Sequence, residues 1–283
     1  MAIRYLVSVA SAWNASNTAI WSASSGGASG ASAPTNLDAV IIDTASPGGT
    51  LTVAAGADCL SLTVNWTAVK TNAITLSADF APNAGASTIT IAGNSVTNRI
   101  LVQSSVLGTA RTITAAVAVP SNCDFMDIIG AGAATWSGTS LGDCLGNSGI
   151  TFTPAATQYY QTAVSASWSD ATKWFLGSNG TGGAGRVPLP QDNVVFDQYS
   201  VTASGKTITA DMPRMGKDIT WMGVANAPTY TIGGNFWIFG SVTLSSSMTI
   251  TANGYAHDFY GRGYKQNFKC RWSHMVIERK EMG

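Results

Sequence analysis

The sequence predicts an all-β protein made of two related β-repeat units, and three observations carry this prediction. A segment with two tryptophans, a Gly/Ser-rich run, a proline and two aspartates occurs twice, and both copies end in the frame P-x3-D-x-V-x2-D. Short runs in which apolar residues alternate with Thr or Ser recur along the chain and are typical of half-buried strands. No stretch of about eleven residues keeps the apolar stripe of an amphipathic helix. The anchors of the repeat are Trp13, Trp21, Pro34, Asp38 and Asp43 in the first copy and Trp168, Trp174, Pro188, Asp192 and Asp197 in the second.

The repeat and the local composition divide the chain into four predicted segments. We expect a first β-repeat unit at 1–118, a loop-rich connector at 119–160, a second β-repeat unit at 161–254 and an atypical tail at 255–283. The connector has fewer alternating runs and more glycine than its flanks. This texture is typical of ordered loops that turn a corner or face a ligand.

Two architectures fit short strands that are separated by Gly, Asn and Pro-Gly turns. The Thr/Ser-rich and charge-poor texture favours a β-solenoid, or β-helix, because stacked coils align like residues and aligned like charges repel one another. A tandem β-sandwich or jelly roll is the alternative.

The repeat anchors allow a structural and a sugar-binding interpretation. In the sugar-binding one, tryptophan faces stack on pyranose rings and the aspartates hold hydroxyl groups. The sequence favours the structural one, because the anchors recur while the loops between them do not. Trp21 and Trp174 then cap an apolar stack, and the four aspartates accept turn N–H groups at strand ends.

The low charge of the chain argues against two classes of partner. Charged residues make up 11% of the sequence and the formal net charge is zero, whereas about 25% charged residues is usual. Such a surface has no electrostatic footprint for nucleic acid or for an anionic membrane. No apolar run is long enough to span a bilayer, and the run after Met1 is marginal for a signal peptide, so we expect assembly in a cytoplasm and no membrane insertion.

Residues that could carry chemistry are few, and we predict neither an enzyme nor a cofactor or metal site. The four cysteines share no CxxC spacing, which predicts buried thiols rather than a zinc site. Asp124 and Asp127 are the nearest approach to paired carboxylates, but three residues apart on a strand they would face opposite sides. Both histidines and both glutamates lie in the tail, so no triad can be assembled from the rest of the chain. The cysteines are Cys59, Cys123, Cys144 and Cys270.

The tail differs from the rest of the chain in composition. It holds both histidines and six of the fifteen basic residues. Back-translated and read one base later, residues from Tyr264 onward encode another strand-like run that ends at a potential stop codon. We therefore hypothesise a frame shift near Tyr255; a basic terminal segment that docks onto a partner is the alternative.

The segments WNASNTAIWSASSGGASGASAPTNLDAVIID and WSDATKWFLGSNGTGGAGRVPLPQDNVVFD, with CDFMDIIGAGAATWSGTSLGDCLGNSGITF between them, resemble repetitive proteins encoded in the structural regions of tailed bacteriophages. The resemblance covers most of residues 5–254. It implies a β-helical structural protein on the virion surface, of the tail-fibre, tailspike-like, receptor-binding or capsid-decorating kind. The resemblance also implies three kinds of partner. They are other virion proteins, a host-surface glycan, and further copies of the chain in a homo-oligomer, for which a trimer is favoured.

The resemblance carries over no catalytic residues, and two other functions stay open on the sequence. One is a bacterial cell-surface adhesin, which a neighbouring secretion gene would favour. The other is a polysaccharide depolymerase, which would release reducing ends from capsule or lipopolysaccharide.

Overall fold

The computed structural model describes residues 1–260, 267–271 and 276–280. The protein is essentially all-β, with 40% of its residues in strands and 4% in helical turns. Among the described residues the helical turns are three short 3-10 segments, Pro82–Gly85, Ala171–Lys173 and Ser178–Gly180. The chain forms two compact units, Met1–Thr153 and Pro154–Gly283. The all-β prediction is confirmed.

The first unit is built from fourteen short strands within the described residues. They are β1 (Ile3–Leu6), β2 (Trp21–Ser22), β3 (Ala39–Ile42), β4 (Thr50–Val53), β5 (Ser61–Asn65), β6 (Ala73–Leu76), β7 (Thr88–Ala92), β8 (Ile100–Ser104), β9 (Arg111–Thr114), β10 (Val117–Met126), β11 (Ile128–Ala131), β12 (Trp136–Ser137), β13 (Thr139–Asp143) and β14 (Ile150–Thr151).

Two ladders of parallel strands organise the first unit. One ladder has the order β1, β3, β5, β7, β10, and the other has the order β4, β6, β8, β10. Strand β10 belongs to both, because its first half pairs with β7 and its second half with β8. Ala39, Ser61, Thr88 and Val117 occupy equivalent positions on successive strands, so each short coil of the chain returns to the same ladder.

The alternation in the sequence explains why these strands form. In β5, Leu62 and Val64 are buried while Thr63 between them is exposed. Ile42, Val64 and Ile91 are aligned in register on β3, β5 and β7, and all three are buried. Period-two alternation thus places an apolar column inside the unit and the hydroxyl-bearing residues Thr63 and Thr90 outside it.

The second unit has the same kind of ladders. Its strands within the described residues are β15 (Thr157–Tyr160), β16 (Ala166–Ser167), β17 (Trp174–Phe175), β18 (Asn193–Phe196), β19 (Thr207–Ala210), β20 (Arg214–Gly216), β21 (Ile219–Trp221), β22 (Thr229–Ile232), β23 (Phe236–Ile238), β24 (Val242–Thr243), β25 (Thr249–Thr251), β26 (Ala256–Phe259), β27 (Asn267–Arg271) and β28 (Val276–Lys280). Parallel ladders run β15, β18, β21, β24 and β16, β19, β22, β25, and a third runs β20, β23, β26.

Both units begin with the same strand pairing. Strand β1 pairs antiparallel with β2 and parallel with β3, and β15 pairs in the same way with β17 and β18. Ile3 is opposite Ala39 in the first unit, and Thr157 is opposite Asn193 in the second. Ile3 and Thr157 are as far apart in the sequence as Ala39 and Asn193, so the two registers correspond. The two tryptophan-led segments therefore have like conformations at the start of each unit.

Each unit has its own apolar core. The core of the first unit extends from Leu6 to Leu141, and the core of the second from Tyr160 to Ile238. The first core also encloses an ion pair, because the side chains of Arg99 and Asp124 are both 0% exposed.

Residues 119–160, which the sequence marks as a loop-rich connector, contain most of β10 and all of β11 to β15. The compact units meet in sequence at Thr153 and Pro154. In the predicted tail, β26 pairs parallel with β23, and β27 and β28 follow it antiparallel. The tail positions 261–266, 272–275 and 281–283 lie outside the described residues.

The cysteine prediction is confirmed at three positions. Cys59, Cys123 and Cys144 are buried thiols, and the prediction for Cys270 lies outside the side chains that the structure describes. Burial, with a smaller contribution from Asp58, raises the pKa of the Cys59 thiol. The described part of the chain includes no helix with the length and hydropathy that a membrane span requires.

Candidate functional site

The repeat anchors of the first unit assemble into a cap over the start of its ladders. Trp21 lies in β2, which covers the outer edge of β1. Trp13 extends the other ladder, because its N–H donates to the carbonyl oxygen of Thr52 at 2.8 Å and its own carbonyl accepts from Ala54 at 2.8 Å. The two indoles are fully buried and meet edge to face, with ring centroids 5.2 Å apart. The cap therefore satisfies strand edges that would otherwise pair with another chain.

The second unit repeats this cap with a larger aromatic cluster. Trp168 donates its N–H to the carbonyl oxygen of Thr209 at 2.8 Å, and Trp174 lies in β17 on the edge of β15. Their ring centroids are 5.0 Å apart, and Nε1 of Trp174 donates to the carbonyl of Trp168 at 2.8 Å. Phe196 and Trp221 stack in parallel below them, at 3.6 Å between centroids.

The first aspartate of each copy fastens the turn before a strand to the start of the unit. In the first unit, Asp38 Oδ1 accepts the N–H of Ala2 at 2.9 Å, and Oδ2 accepts the N–H of Thr35 at 3.1 Å. In the second, Asp192 accepts the N–H of Ala156 at 2.8 Å and that of Leu189 at 2.9 Å. The donors occupy corresponding positions of the two copies, so the two carboxylates make the same backbone contacts.

Asp38 is held in its ionised form. Burial by itself would raise the pKa of this carboxyl group, but the donors from Ala2 and Thr35 and the nearby charge of Arg4 outweigh burial and lower the pKa below its ordinary value. The carboxylate therefore stabilises the cap most strongly when it is charged.

An arginine accompanies the aspartate in both units but comes from different positions. In the first unit Arg4 of β1 donates from Nε to the carbonyl of Ser32 at 2.9 Å. In the second unit Gln158 occupies the position equivalent to Arg4, and Arg186 occupies the position equivalent to Ser32. Arg186 forms a bidentate contact with Asp192, at 2.8 and 2.6 Å. The guanidinium has thus moved from the strand to the loop. No signal in the sequence marks this exchange, because Arg4 and Arg186 do not align.

The second aspartate of each copy closes an Asx turn after its strand. Asp43 Oδ1 accepts the N–H of Ala45 at 3.0 Å, and Asp197 Oδ1 accepts that of Tyr199 at 2.9 Å. In both turns the aspartate N–H also donates to a serine hydroxyl three residues later. Pro34 and Pro188, at the start of the shared frame, are buried.

The arrangement gives the tryptophans no open face for a sugar ring. Trp13, Trp21 and Trp168 are 0% exposed and Trp174 is 1% exposed. The chemistry of the anchors is therefore edge covering and turn closure.

The two central carboxylates are also enclosed. Arg99 Nε contacts both carboxylate oxygens of Asp124, at 2.9 and 3.0 Å. Asp127 is 1% exposed and accepts the N–H of Gly108 at 2.9 Å. A charge buried with its partner is a structural arrangement.

Within the described part of the chain, no group of three or more His, Cys, Asp or Glu side chains could hold a metal ion. No family model, curated protein or solved structure matches this chain. Its own geometry is therefore the basis on which a function can be proposed.

A feature that the sequence did not mark lies on the outside of the second unit. Strands β19, β22 and β25 each read Thr-x-Thr, and the ladder aligns them in register. The alternation of each run is visible in the sequence, but the loop lengths that set their alignment are not.

Proposed function

We propose that the chain is a non-enzymatic structural protein of a tailed-bacteriophage virion, exposed on the particle as a fibre, tailspike-like or decorating subunit. The observation that carries the proposal is the set of in-register parallel ladders that each unit builds behind its own cap. The sequence resemblance supplies the phage context.

In this proposal each unit is a β-solenoid. Parallel pairing over many strands requires a connection that returns the chain to the same end of the sheet. The short segments between the equivalent positions Ala39, Ser61, Thr88 and Val117 provide this return. A sandwich of antiparallel hairpins would leave adjacent strands antiparallel, whereas the ladders of the first unit are parallel beyond β2.

A rigid and chemically quiet exterior supports the structural role. The outward positions Thr63, Thr90 and Val119 follow one another on adjacent strands, and none carries a charge. Aligned neutral side chains avoid the repulsion that stacked like charges produce. Such a body keeps its shape and presents hydroxyl and methyl groups to its surroundings.

The proposed partners are other virion proteins, further copies of the chain in a trimer and a glycan on the host surface. Antibodies raised against the full-length chain should label purified particles of the phage that encodes it, as seen by immunogold electron microscopy. Antibodies against a non-structural protein of the same phage provide the control. Absence of the chain from purified particles by mass spectrometry would contradict the proposal.

A second experiment separates the structural role from a depolymerase. The purified chain is incubated with host capsule or lipopolysaccharide, and reducing ends are measured over time. We expect no increase above a heat-denatured sample. Release of reducing ends would replace the structural role by an enzymatic one.

A further inference from the structure

The second unit presents two in-register rows of threonine on one ladder. The rows run across β19, β22 and β25, and neighbouring threonines are direct partners in the strand register. Ser167 of β16 extends one row by a further hydroxyl, because it is opposite Thr209. We call these six threonines the threonine face; they are Thr207, Thr229 and Thr249 in one row and Thr209, Thr231 and Thr251 in the other.

The threonine face points outward from the core of the second unit. The residues between the rows, Ile208 and Tyr230, are buried in the core of the unit, and Ile250 packs against that core. All six threonines are at least partly exposed. Among the residues whose side chains the structure describes, none forms a hydrogen bond with a hydroxyl of this face. Each hydroxyl can therefore donate one bond and accept two from outside.

The positions of these groups are fixed. The backbone of the face is held by ladder pairing on β19, β22 and β25, and a β-branched side chain has few χ1 rotamers. Each threonine adds a methyl group beside its hydroxyl, and neither row contains a charge. The face is thus a neutral lattice of alternating donor, acceptor and methyl groups.

The two repeats of this lattice are close to those of ice. Neighbouring strands lie about 4.7–4.9 Å apart, and alternate residues of a parallel strand are about 6.6 Å apart. Water molecules in a tetrahedral network with O···O distances of about 2.75 Å have second neighbours at about 4.5 Å and a layer repeat of about 7.3 Å. Each step from strand to strand exceeds the spacing of second-neighbour waters by about 0.2–0.4 Å, so over three strands the threonine positions depart from those of the waters by less than about 1 Å. This departure is small compared with one hydrogen-bond length.

We propose that the threonine face binds ice. A periodic face suits a periodic ligand, and an uncharged face suits an uncharged one. The methyl groups exclude disordered water, while the hydroxyls join the ordered water lattice. This inference goes beyond the virion role and does not depend on it.

The first unit provides an internal comparison. Its corresponding ladder places Thr50, Ala73 and Leu101 in one row and Thr52, Thr75 and Gln103 in the other. Ala73 and Leu101 are buried, and the side-chain amide of Gln103 donates to the hydroxyl of Thr75 at 3.1 Å. The rows are interrupted there, so ice binding is not assigned to this ladder of the first unit.

The test uses the full-length chain, labelled with a fluorophore, in slowly growing ice. We expect the chain to be enriched in the ice and Thr231→Tyr, at the centre of the face, to lose this enrichment. Thr63→Tyr, which places the same bulk on an exposed position of β5, is the matched control and should behave as the unsubstituted chain. Thermal hysteresis, measured on the same three samples, should follow the same order.

Folding and self-association are checked alongside. If Thr231→Tyr lowers the melting temperature, Thr251→Lys on the exposed β25 replaces it as the test of the face. Exclusion of the unsubstituted chain from ice, or equal incorporation of both face variants, would overturn the proposal. A third outcome would also overturn it. If ice excludes the unsubstituted chain, light scattering shows a dimer and Thr231→Tyr dissociates that dimer, then the face binds a second copy and not ice.

Discussion

Replacing Asp192 by alanine is expected to destabilise the second unit without a comparable effect on the first. Asp192 is fully buried and accepts the N–H groups of Ala156 and Leu189, besides its contact with Arg186. The substitution leaves both N–H groups without an acceptor. A buried donor that loses its partner costs about 1–3 kcal/mol.

The expected loss is about 3 kcal/mol. The Leu189 N–H is buried and contributes about 2 kcal/mol, and the partly buried Ala156 N–H contributes about 1 kcal/mol. The side chain of Arg186 is 31% exposed and can be solvated, so its ion pair adds little. Since 1.4 kcal/mol corresponds to a factor of ten, the opening equilibrium of the second unit should rise about 100-fold.

Hydrogen exchange followed by mass spectrometry measures this opening locally. Peptides from the ladders of the second unit should lose protection, while peptides from Met1–Thr153 should keep it. Asp38→Ala is the mirror variant and should reverse the pattern with a smaller loss, about 2 kcal/mol, because both of its backbone donors are partly buried. Equal loss of protection in both units from either variant would refute the reasoning.

Three further predictions concern single groups. Arg99→Met alone should lower the free energy of unfolding by about 3–5 kcal/mol in a denaturant titration, because it leaves the Asp124 carboxylate buried without its ion-pair partner. Adding Asp124→Leu should recover most of that loss. A double variant as unstable as the single one would contradict this prediction. Because the pKa of Asp38 is lowered on folding, the ionised carboxylate stabilises the folded protein at pH values above the ordinary pKa of 3.8. This stabilisation is lost as the pH falls through the lowered pKa. The melting temperature of Asp38→Asn should therefore fall less steeply between about pH 5 and about pH 2 than that of the unsubstituted chain. Parallel curves of melting temperature against pH for the two proteins would contradict this prediction. Cys59 should resist iodoacetamide at about pH 8 until the chain is unfolded, because its thiol is buried with a raised pKa; mass-spectrometric labelling of the native protein would disprove it.

The sequence predicted the strands better than their partners. The alternation of apolar residues with Thr that predicts half-buried strands is present in β5, β7 and β19, because burial on one face dictates a period of two. It could not show that β10 joins two ladders, since that depends on the lengths of the loops before it. The glycines of 119–160 led to the prediction of a loop-rich connector, and strands β11 to β15 lie within the same segment.

The candidate site was predictable in its members but not in their contacts. The frame shared by Asp38 and Asp192 marked both residues, and turn chemistry predicts their local N–H donors, Thr35 and Leu189. It does not predict the donors Ala2 and Ala156, which lie 36 residues away in the sequence. The arginine partners could not be found, because Arg4 and Arg186 occupy non-equivalent places in the two copies. The frame shift near Tyr255 stays a prediction, and the nucleotide sequence tests it: a shifted frame without a strand-like run and an early stop would refute it.

The cap at the start of each unit has a consequence for how such a chain can evolve. Because β2 and β17 each shield the first strand behind them, a copy of the module brings its own beginning and needs no existing stack to build upon. A tandem duplication therefore yields a polypeptide whose new half can fold at once. Sequence changes, such as an arginine on the loop in one copy and on the strand in the other, can then accumulate in one copy while the other copy keeps its fold.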